Sequence, residues 1–474
     1  MSETSPLTRR ELLTESLLAI SCGLGFLWCA EVGLGGVHML DRFNTADMVD
    51  YCNAILHLGG ESDVPWSLKR SRLTGVVATA LAEGRGIMAG LRSSSIMATV
   101  LIGSGLYLWG RAASGRTAGV IAVAAALAFS PLVLLPRILT FYPMVSAFFV
   151  LGAAGVTAGI VRRSPRALGL AGAGIGLALL ADVRGLVWAV PWMAGALFAV
   201  YRSTDRRRAA LWLMAPLVLS FGIARWSYPA GAVSFEKQLD VRPLYLIYGS
   251  QDPAHQPPHD TGGDFVWGRS GPWRLPQTGW FIIRQLQVDP PPNFPPDVSQ
   301  FVADDHLSPM VPVWIGAGLL ALGICLRRPR TAVAVAATAA PFAIAFHGQM
   351  DMAEIRVRFL CQAMPGLAML VGVGLGELVD RLPGPLKGET ERSHPVRALV
   401  AGGLVLAVTM GEISTAASPW ARWRRPWPIV GELVQVHPQA QSRDTLSARK
   451  QICAEALDRD AAAQRWIPAL RRIR

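Results

Sequence analysis

Charge is what this sequence is short of. Charged residues make up 16% of its 474 positions and hydrophobic residues 51%, whereas a soluble domain carries roughly a quarter charged residues. That shortage excludes an ordinary water-soluble enzyme of two or three domains. The length is better spent on many apolar spans of about 20 residues each. Familiar catalytic motifs are missing as well. The chain holds no HExxH, no P-loop and no GxSxG, so metalloprotease, nucleoside-triphosphatase and α/β-hydrolase chemistries find no support. Cysteine is scarce and has no metal-ligand spacing. Of the six, Cys22, Cys29 and Cys325 lie in apolar runs and Cys361 near the start of another, where a cysteine serves as a small hydrophobe. Cys52 and Cys453 share a side in the topology below, which leaves a disulfide between them open. His255, His259, His306 and His347 are scattered over outer positions and read as solvated loop residues rather than as a metal site.

What is there in quantity is arginine and lysine. The net charge is +12 and the isoelectric point about 10.0, but this is not a nucleic-acid protein. The basic residues fall in short clusters between apolar runs, as in the cytoplasmic loops of membrane proteins, and no nucleic-acid motif accompanies them. The runs cover 12–34, 93–110, 117–136, 141–161, 167–181, 185–201, 209–226, 310–326, 331–346, 359–378 and 398–414. Every cluster between runs follows an even-numbered one: Arg111 and Arg116, then the groups beginning at Arg162, Arg202, Arg327 and Arg381. Eleven spans with a cytoplasmic N-terminus, held there by Arg9 and Arg10, satisfy the positive-inside rule through this part of the chain. No small-residue cleavage site follows the first run, so it reads as an uncleaved helix. The tail opens PWARWRRPWP and goes against the rule, yet the count puts it outside.

The expected fold is therefore an all-α polytopic membrane protein of about eleven transmembrane helices. Positions 1–415 form the membrane module, with large extracytoplasmic loops at 35–92 and 228–307, and 416–474 form an extracytoplasmic tail. The second loop is rich in proline, glycine and tryptophan (HQPPHDTGGDFVWG, VDPPPNFPPDV) and reads as ordered but irregular. In the first loop, LTGVVATALAEG reads as an amphipathic helix along the interface. GLAGAGIGLALL has the look of a dinucleotide loop but lies inside an apolar run with no strand before it. Gly172 with Gly176, and Gly372 with Gly376, suit close helix packing in lipid.

Just past the first run stands FNTADMVDYCNAI, positions 43–55. Asn44 or Thr45 can cap a short helix there, and Asp47 suits its N-terminal dipole. In a helix, Asp47, Asp50, Tyr51 and Ala54 share one face. Two carboxylates at a membrane edge are expensive to desolvate, and ionisable groups at that depth mark sites.

The order of these residues resembles a family. A first span leads to an aspartate followed four residues on by tyrosine, and then to the arginine-bearing SLKRSRLTG. GLYLWGRAASGRTAGVIAVAAALAFSP, LPRILTFYPM, GLALLADVRGLVWAVP and RVRFLCQAMPGLAML continue the resemblance as short matches over positions 12–378. The family is that of the polyprenyl-phosphate-sugar-dependent glycosyltransferases of the GT-C fold: family 39, the protein O-mannosyltransferases and the lipid A aminoarabinose transferases. The resemblance implies sugar transfer on the extracytoplasmic side from a polyprenyl-phosphate donor to a lipid, glycan or protein acceptor, in a cell membrane such as a bacterial inner membrane.

By position, Asp47 takes the place of the family's first-loop aspartate, as base or as ligand of a divalent metal ion, the one cofactor the resemblance leaves open. The family often has glutamate next, where this chain has Met48; Asp50, one turn on, could supply the second carboxylate, with Tyr51 in support. Arg137, Asp182 and Arg184 fall at outer ends of runs, where the fold gathers its active site. Interfacial anchoring, or a local Asp182–Arg184 pair, is the plainer account of them. Arg358 with Phe359 matches the family's arginine-aromatic pair and is expected on the donor phosphate, together with Arg137 and Arg184. Two other readings stand beside the transferase: a transporter or lipid flippase, and a non-catalytic relative. A transport path shows ionisable residues or broken helices near the midplane, whereas these charges sit at span ends.

Overall fold

The computed structural model describes residues 9–33, 55–56, 73–82, 86–129, 132–133, 141–181, 185–227, 316–317, 319–320, 331, 333–335, 356–381 and 394–414. Among them every regular element is a helix. In chain order these are α1 (Arg9–Gly33), α2 (Leu73–Ala82), α3 (Ile87–Ala113), α4 (Arg116–Ala126), α5 (Phe141–Arg162), α6 (Pro165–Ala181), α7 (Gly185–Arg202), α8 (Arg206–Ser227), α9 (Arg356–Arg381) and α10 (His394–Ser414). Nine of the eleven apolar runs thus hold a described helix; of the runs at 310–326 and 331–346 only isolated residues are described. Three helices contain stretches long and apolar enough to cross a membrane: Glu11–Val32, Arg92–Ala113 and Pro143–Arg162.

The interior is apolar, as in a soluble bundle, and much of the exterior is apolar too. The core is dominated by small residues, with a few large rings set among them: Trp109, Trp192, Tyr107, Phe26, Phe129 and Phe149 are fully buried. Phe149 and Trp192 meet edge to face with centroids 4.5 Å apart, a favoured geometry for aromatic pairs. The outward faces carry Leu13, Leu17 and Trp28 on α1, Leu211, Val218 and Leu219 on α8, and Leu399, Val400 and Leu404 on α10. In water such contiguous apolar faces would drive association; against lipid they lose nothing. This is a multi-pass membrane protein.

Small residues set how the helices meet. Gly172 lies against the backbone of Leu213 and Gly176 against Ser220, so α6 packs directly on α8. Gly372 and Gly376 press on Ala118 and Ala122, seating α9 on α4. Both glycine pairs are therefore packing surfaces, and GLAGAGIGLALL is helix interior within α6. LTGVVATALAEG does form a helix, α2, whose Ala78 and Ala82 receive Gly90 of α3.

One expected span differs. The run 117–136 is not a single α-helix, because α4 ends at Ala126 and the chain tightens there. Leu127, Ala128 and Phe129 donate to the carbonyls of Ala124, Ala125 and Ala126, three residues back. The cause is legible downstream. Pro131 has no N–H to give, and its ring would clash with the carbonyl four residues earlier in a continued helix.

Candidate functional site

Glycine contacts and polar bonds fix which way each helix runs. Gly155 meets Ala171 and Gly174 meets Gly152, so α6 is antiparallel to α5; Gly159 lies beside Ala199 and Phe149 beside Trp192, so α7 is parallel to it. Phe26 packs on Gly103 while Tyr107 bonds Glu15, which makes α1 antiparallel to α3. Gly169 lies on Trp212 and Gly176 on Ser220, so α8 runs with α6; Ser114 bonds Glu377 at the far end of α9. One face therefore gathers the N-terminal ends of α1, α4, α6 and α8 with the C-terminal ends of α3, α5, α7 and α9. The opposite face gathers the other ends of all of these except the 11-residue α4: Gly33, Ile87, Phe141, Ala181, Gly185, Ser227 and Arg356. The 22 residues of α5 separate the two by about 33 Å at 1.5 Å per residue, the thickness of a bilayer core.

Of the residues expected to do chemistry, Asp47, Asp50, Tyr51, Arg137, Asp182 and Arg184 lie outside the described residues. Arg358 belongs to the first turn of α9, where the backbone alone is described. Cys52 and Cys453 also lie outside them. The metal expectation rests on Asp47 and so falls outside too. Among the described residues no group of three or more His, Cys, Asp or Glu side chains could hold a metal ion.

The described polar site is at the first face, and it is built around Glu15. This side chain comes from the start of α1 and is 4% exposed. Arg116 donates to its Oε1 through both Nε and Nη2, at 2.9 and 2.7 Å. The Tyr107 hydroxyl donates to Oε2 at 2.9 Å, and Arg111 pairs with the same oxygen. The sequence reaches this geometry through one tight connection. Gly115 adopts φ 129°, which a side chain would resist, and turns α3 into α4 within two residues. Gly110 and Gly119 then let the two backbones touch, since a Cβ on Gly110 would come within 2.8 Å of the Gly119 Cα. That crossing brings Arg111 and Arg116 to a single carboxylate.

Around this centre the other helix ends are tied in. Arg162, last in α5, donates from Nη2 to the Arg111 carbonyl at 2.6 Å. Thr117 donates to Asp380 at 3.0 Å, and Ser114 bonds Glu377, which is 3% exposed and lies 3.9 Å from Arg381. A buried carboxylate is tolerable only when its lone pairs are engaged by charged or neutral donors, and those of Glu15 are. With its oxygens so occupied it holds α1, α3 and α4 together rather than taking a proton from a substrate. In the sequence Arg111 and Arg116 read as topology signals, and Glu15 does not stand out. The available signal was a carboxylate near the start of an apolar run, which calls for a cationic partner.

No protein-family model matches the chain, and no curated protein does. Among solved structures it is similar to ArnT from Cupriavidus metallidurans bound to undecaprenyl phosphate, with TM-score 0.46 and 13% identity over 94% of this chain and 75% of that one. It is similar to the apo state of the same ArnT, with TM-score 0.44 and 15% identity over 83% of this chain and 63% of that one. A third likeness is to the Archaeoglobus fulgidus oligosaccharyltransferase in its apo form, with TM-score 0.45 and 11% identity over 90% of this chain and 59% of that one. The chain thus spans three quarters of the first structure's length and about three fifths of the length of the other two.

Proposed function

We propose that this protein is an integral membrane glycosyltransferase that moves a sugar from a polyprenyl-phosphate donor to a lipid, glycan or protein acceptor on the extracytoplasmic side. The observation that carries the reading is the order of residues along the chain: a first span, Asp47 and Tyr51 in the segment after it, an arginine stretch, and Arg358–Phe359 opening a late helix that contains Pro365. The direction of the helices supports it. The described ends that flank positions 137, 182, 184 and 358 all lie away from the arginine-rich face. Eleven spans, a cytoplasmic N-terminus and an outer tail belong to the same proposal.

In the transfer step Asp47 accepts the proton of an acceptor hydroxyl as its oxygen bonds to the sugar's anomeric carbon. The bond from that carbon to the lipid phosphate breaks, and the phosphate leaves with the electron pair. Arg358, Arg137 and Arg184 meet the charge that grows on it, through the two-pronged geometry that suits phosphate oxygens. Asp50, Tyr51 and Asp182 support the pair of roles. Asp47 is also the residue that would hold a divalent metal ion, which would supply further neutralisation of the phosphate.

The test is sugar release from a polyprenyl-phosphate donor by purified protein. Asp47→Asn keeps shape and capping ability and removes the charge, so the rate should fall by at least about a hundredfold while folding is retained. A dead Asp50→Asn beside a near-normal Asp47→Asn would shift the assignment by one turn. The Met48 position favours a second reading, a non-catalytic relative; no release by the wild-type protein with any polyprenyl-phosphate sugar would select it.

A further inference from the structure

The arginine-rich face has more guanidinium than the Glu15 network absorbs. Glu15, Glu377 and Asp380 are engaged by Arg111, Arg116, Ser114 and Thr117. Among the described residues, no carboxylate lies within ion-pair distance of Arg162, Arg163 or Arg166, the three arginines of the α5–α6 turn. Arg162 is nonetheless held in place. Its Nη2 is fixed at 2.6 Å on the Arg111 carbonyl and its side chain is half-buried between α3 and α5. Part of its fork is spent on that carbonyl, and the remaining N–H groups have no acceptor among the described residues. Arg111, whose carbonyl Arg162 meets, shares one carboxylate with Arg116.

Depth identifies the ligand's setting. The apolar stretches Arg92–Ala113 and Pro143–Arg162 end at this level, so Arg111 and Arg162 stand where hydrocarbon gives way to headgroups. Two arginines joined through the Arg111 carbonyl, Arg162 having no described carboxylate within ion-pair distance, call at that depth for an anion with several oxygens. A phosphate group accepts from both in fork geometry.

We propose that Arg162 and Arg111 form a phosphate-binding site at the arginine-rich face, occupied by the headgroup of an anionic lipid. The site is separate from the transfer centre and does not rest on the transferase reading. Its chemistry would also accept free phosphate, which the experiment distinguishes.

The full chain, purified in a zwitterionic detergent, is titrated with phosphatidylglycerol, phosphatidylcholine or inorganic phosphate and followed by native mass spectrometry and by thermal unfolding. Phosphatidylglycerol should stay bound and raise the midpoint, and phosphatidylcholine should do neither. Arg162→Gln should weaken phosphatidylglycerol about tenfold or more, the value of a lost charge-assisted hydrogen bond. Arg207→Gln, an exposed arginine at the same face in the α7–α8 region, should leave the affinity unchanged. If Arg162→Gln does not purify as folded protein, Arg162→Lys serves instead, losing the fork while keeping the charge; full affinity in the lysine variant overturns the site. Equal binding by wild type and Arg162→Gln, or an equal fall in Arg207→Gln, also overturns it, since charge at large would then suffice. Protection by inorganic phosphate matching that by the lipid supports the site and assigns it to free phosphate.

Discussion

Arg356 and Arg358 stand two positions apart in the first turn of α9, and residues so spaced on a helix face different ways. One of them can serve the donor phosphate while the other meets headgroups. Under the proposed transferase reading, Arg358 with Phe359 beside it is the one proposed for the donor phosphate. Arg358→Lys keeps the charge and loses the two-pronged geometry, which is not a conservative change at a phosphate. Binding of a polyprenyl-phosphate sugar should weaken in Arg358→Lys and in Arg358→Ala, by about tenfold or more for a lost charge-assisted pair. Arg356→Ala should bind as wild type. Equal donor affinity in wild type and Arg358→Ala would remove this residue from the site. At the scale of the single residue, Asp47 and Tyr51 lie outside the described residues and Arg358 is described by its backbone alone, so their roles stay proposals. The described centre, Glu15, was not legible in the sequence, because its meaning lies in partners at positions 107, 111 and 116. No local pattern joins one acid to residues so far along the chain.

At the scale of the element, the question is what keeps α1 on the bundle. Its outer face offers leucine and tryptophan to lipid, and lipid rewards that face equally whether or not the helix is docked. Specific attachment comes instead from the close approach of Gly23 to α3, from Phe26 on Gly103, and from the Glu15 network. Glu15→Gln leaves Arg111 and Arg116 without a carboxylate. The loss should be about 3 kcal/mol, the low end for breaking a buried pair, because the Arg116 side chain is 40% exposed and water can relieve it. The thermal midpoint in detergent should fall clearly, and Arg116→Gln should lose less, since Arg111 and Tyr107 still hold the carboxylate. A midpoint for Glu15→Gln equal to that of wild type would show that packing alone docks α1. Runs and glycine pairs made most helices legible in advance, α5, α6 and α7 almost to the residue. The run 117–136 misled because hydropathy cannot distinguish an α-helix from the tightened turn that follows Ala126. Pro131 was the better guide there.

The whole molecule is organised by the separation of its two ends. Each tight connection that is described, at 114–115, 163–164 and 203–205, carries or adjoins arginine. The glycine contacts and the Arg162 bond bring all three to one face. In sequence that was visible as alternation: basic clusters after every second run. The structure supplies a separate reason for the same grouping among the described clusters. The helices that end in them, α3, α5, α7 and α9, run parallel in the bundle, and each turns back into an antiparallel neighbour where the connection is described. Helix direction says that the clusters share a side, and the positive-inside rule says which side it is. A membrane-impermeant maleimide on intact cells checks the second statement, with single cysteines introduced after replacement of the native ones. Asp264→Cys and Asp444→Cys should label directly, and Arg207→Cys only once the membrane is opened. The three positions test different steps. Reversal at 207 and 264 together would invert the bundle and move the proposed transfer site to the cytoplasm, where the transferase reading fails. Protection of position 444 alone would leave the bundle as described and put the tail on the arginine side, in keeping with Arg422, Arg424 and Arg425 at its start. The odd count of eleven would then be the error, and the run at 398–414 would be the one that does not cross, because α8 ends and α9 begins at the same outer face and the two runs between them cross together or not at all.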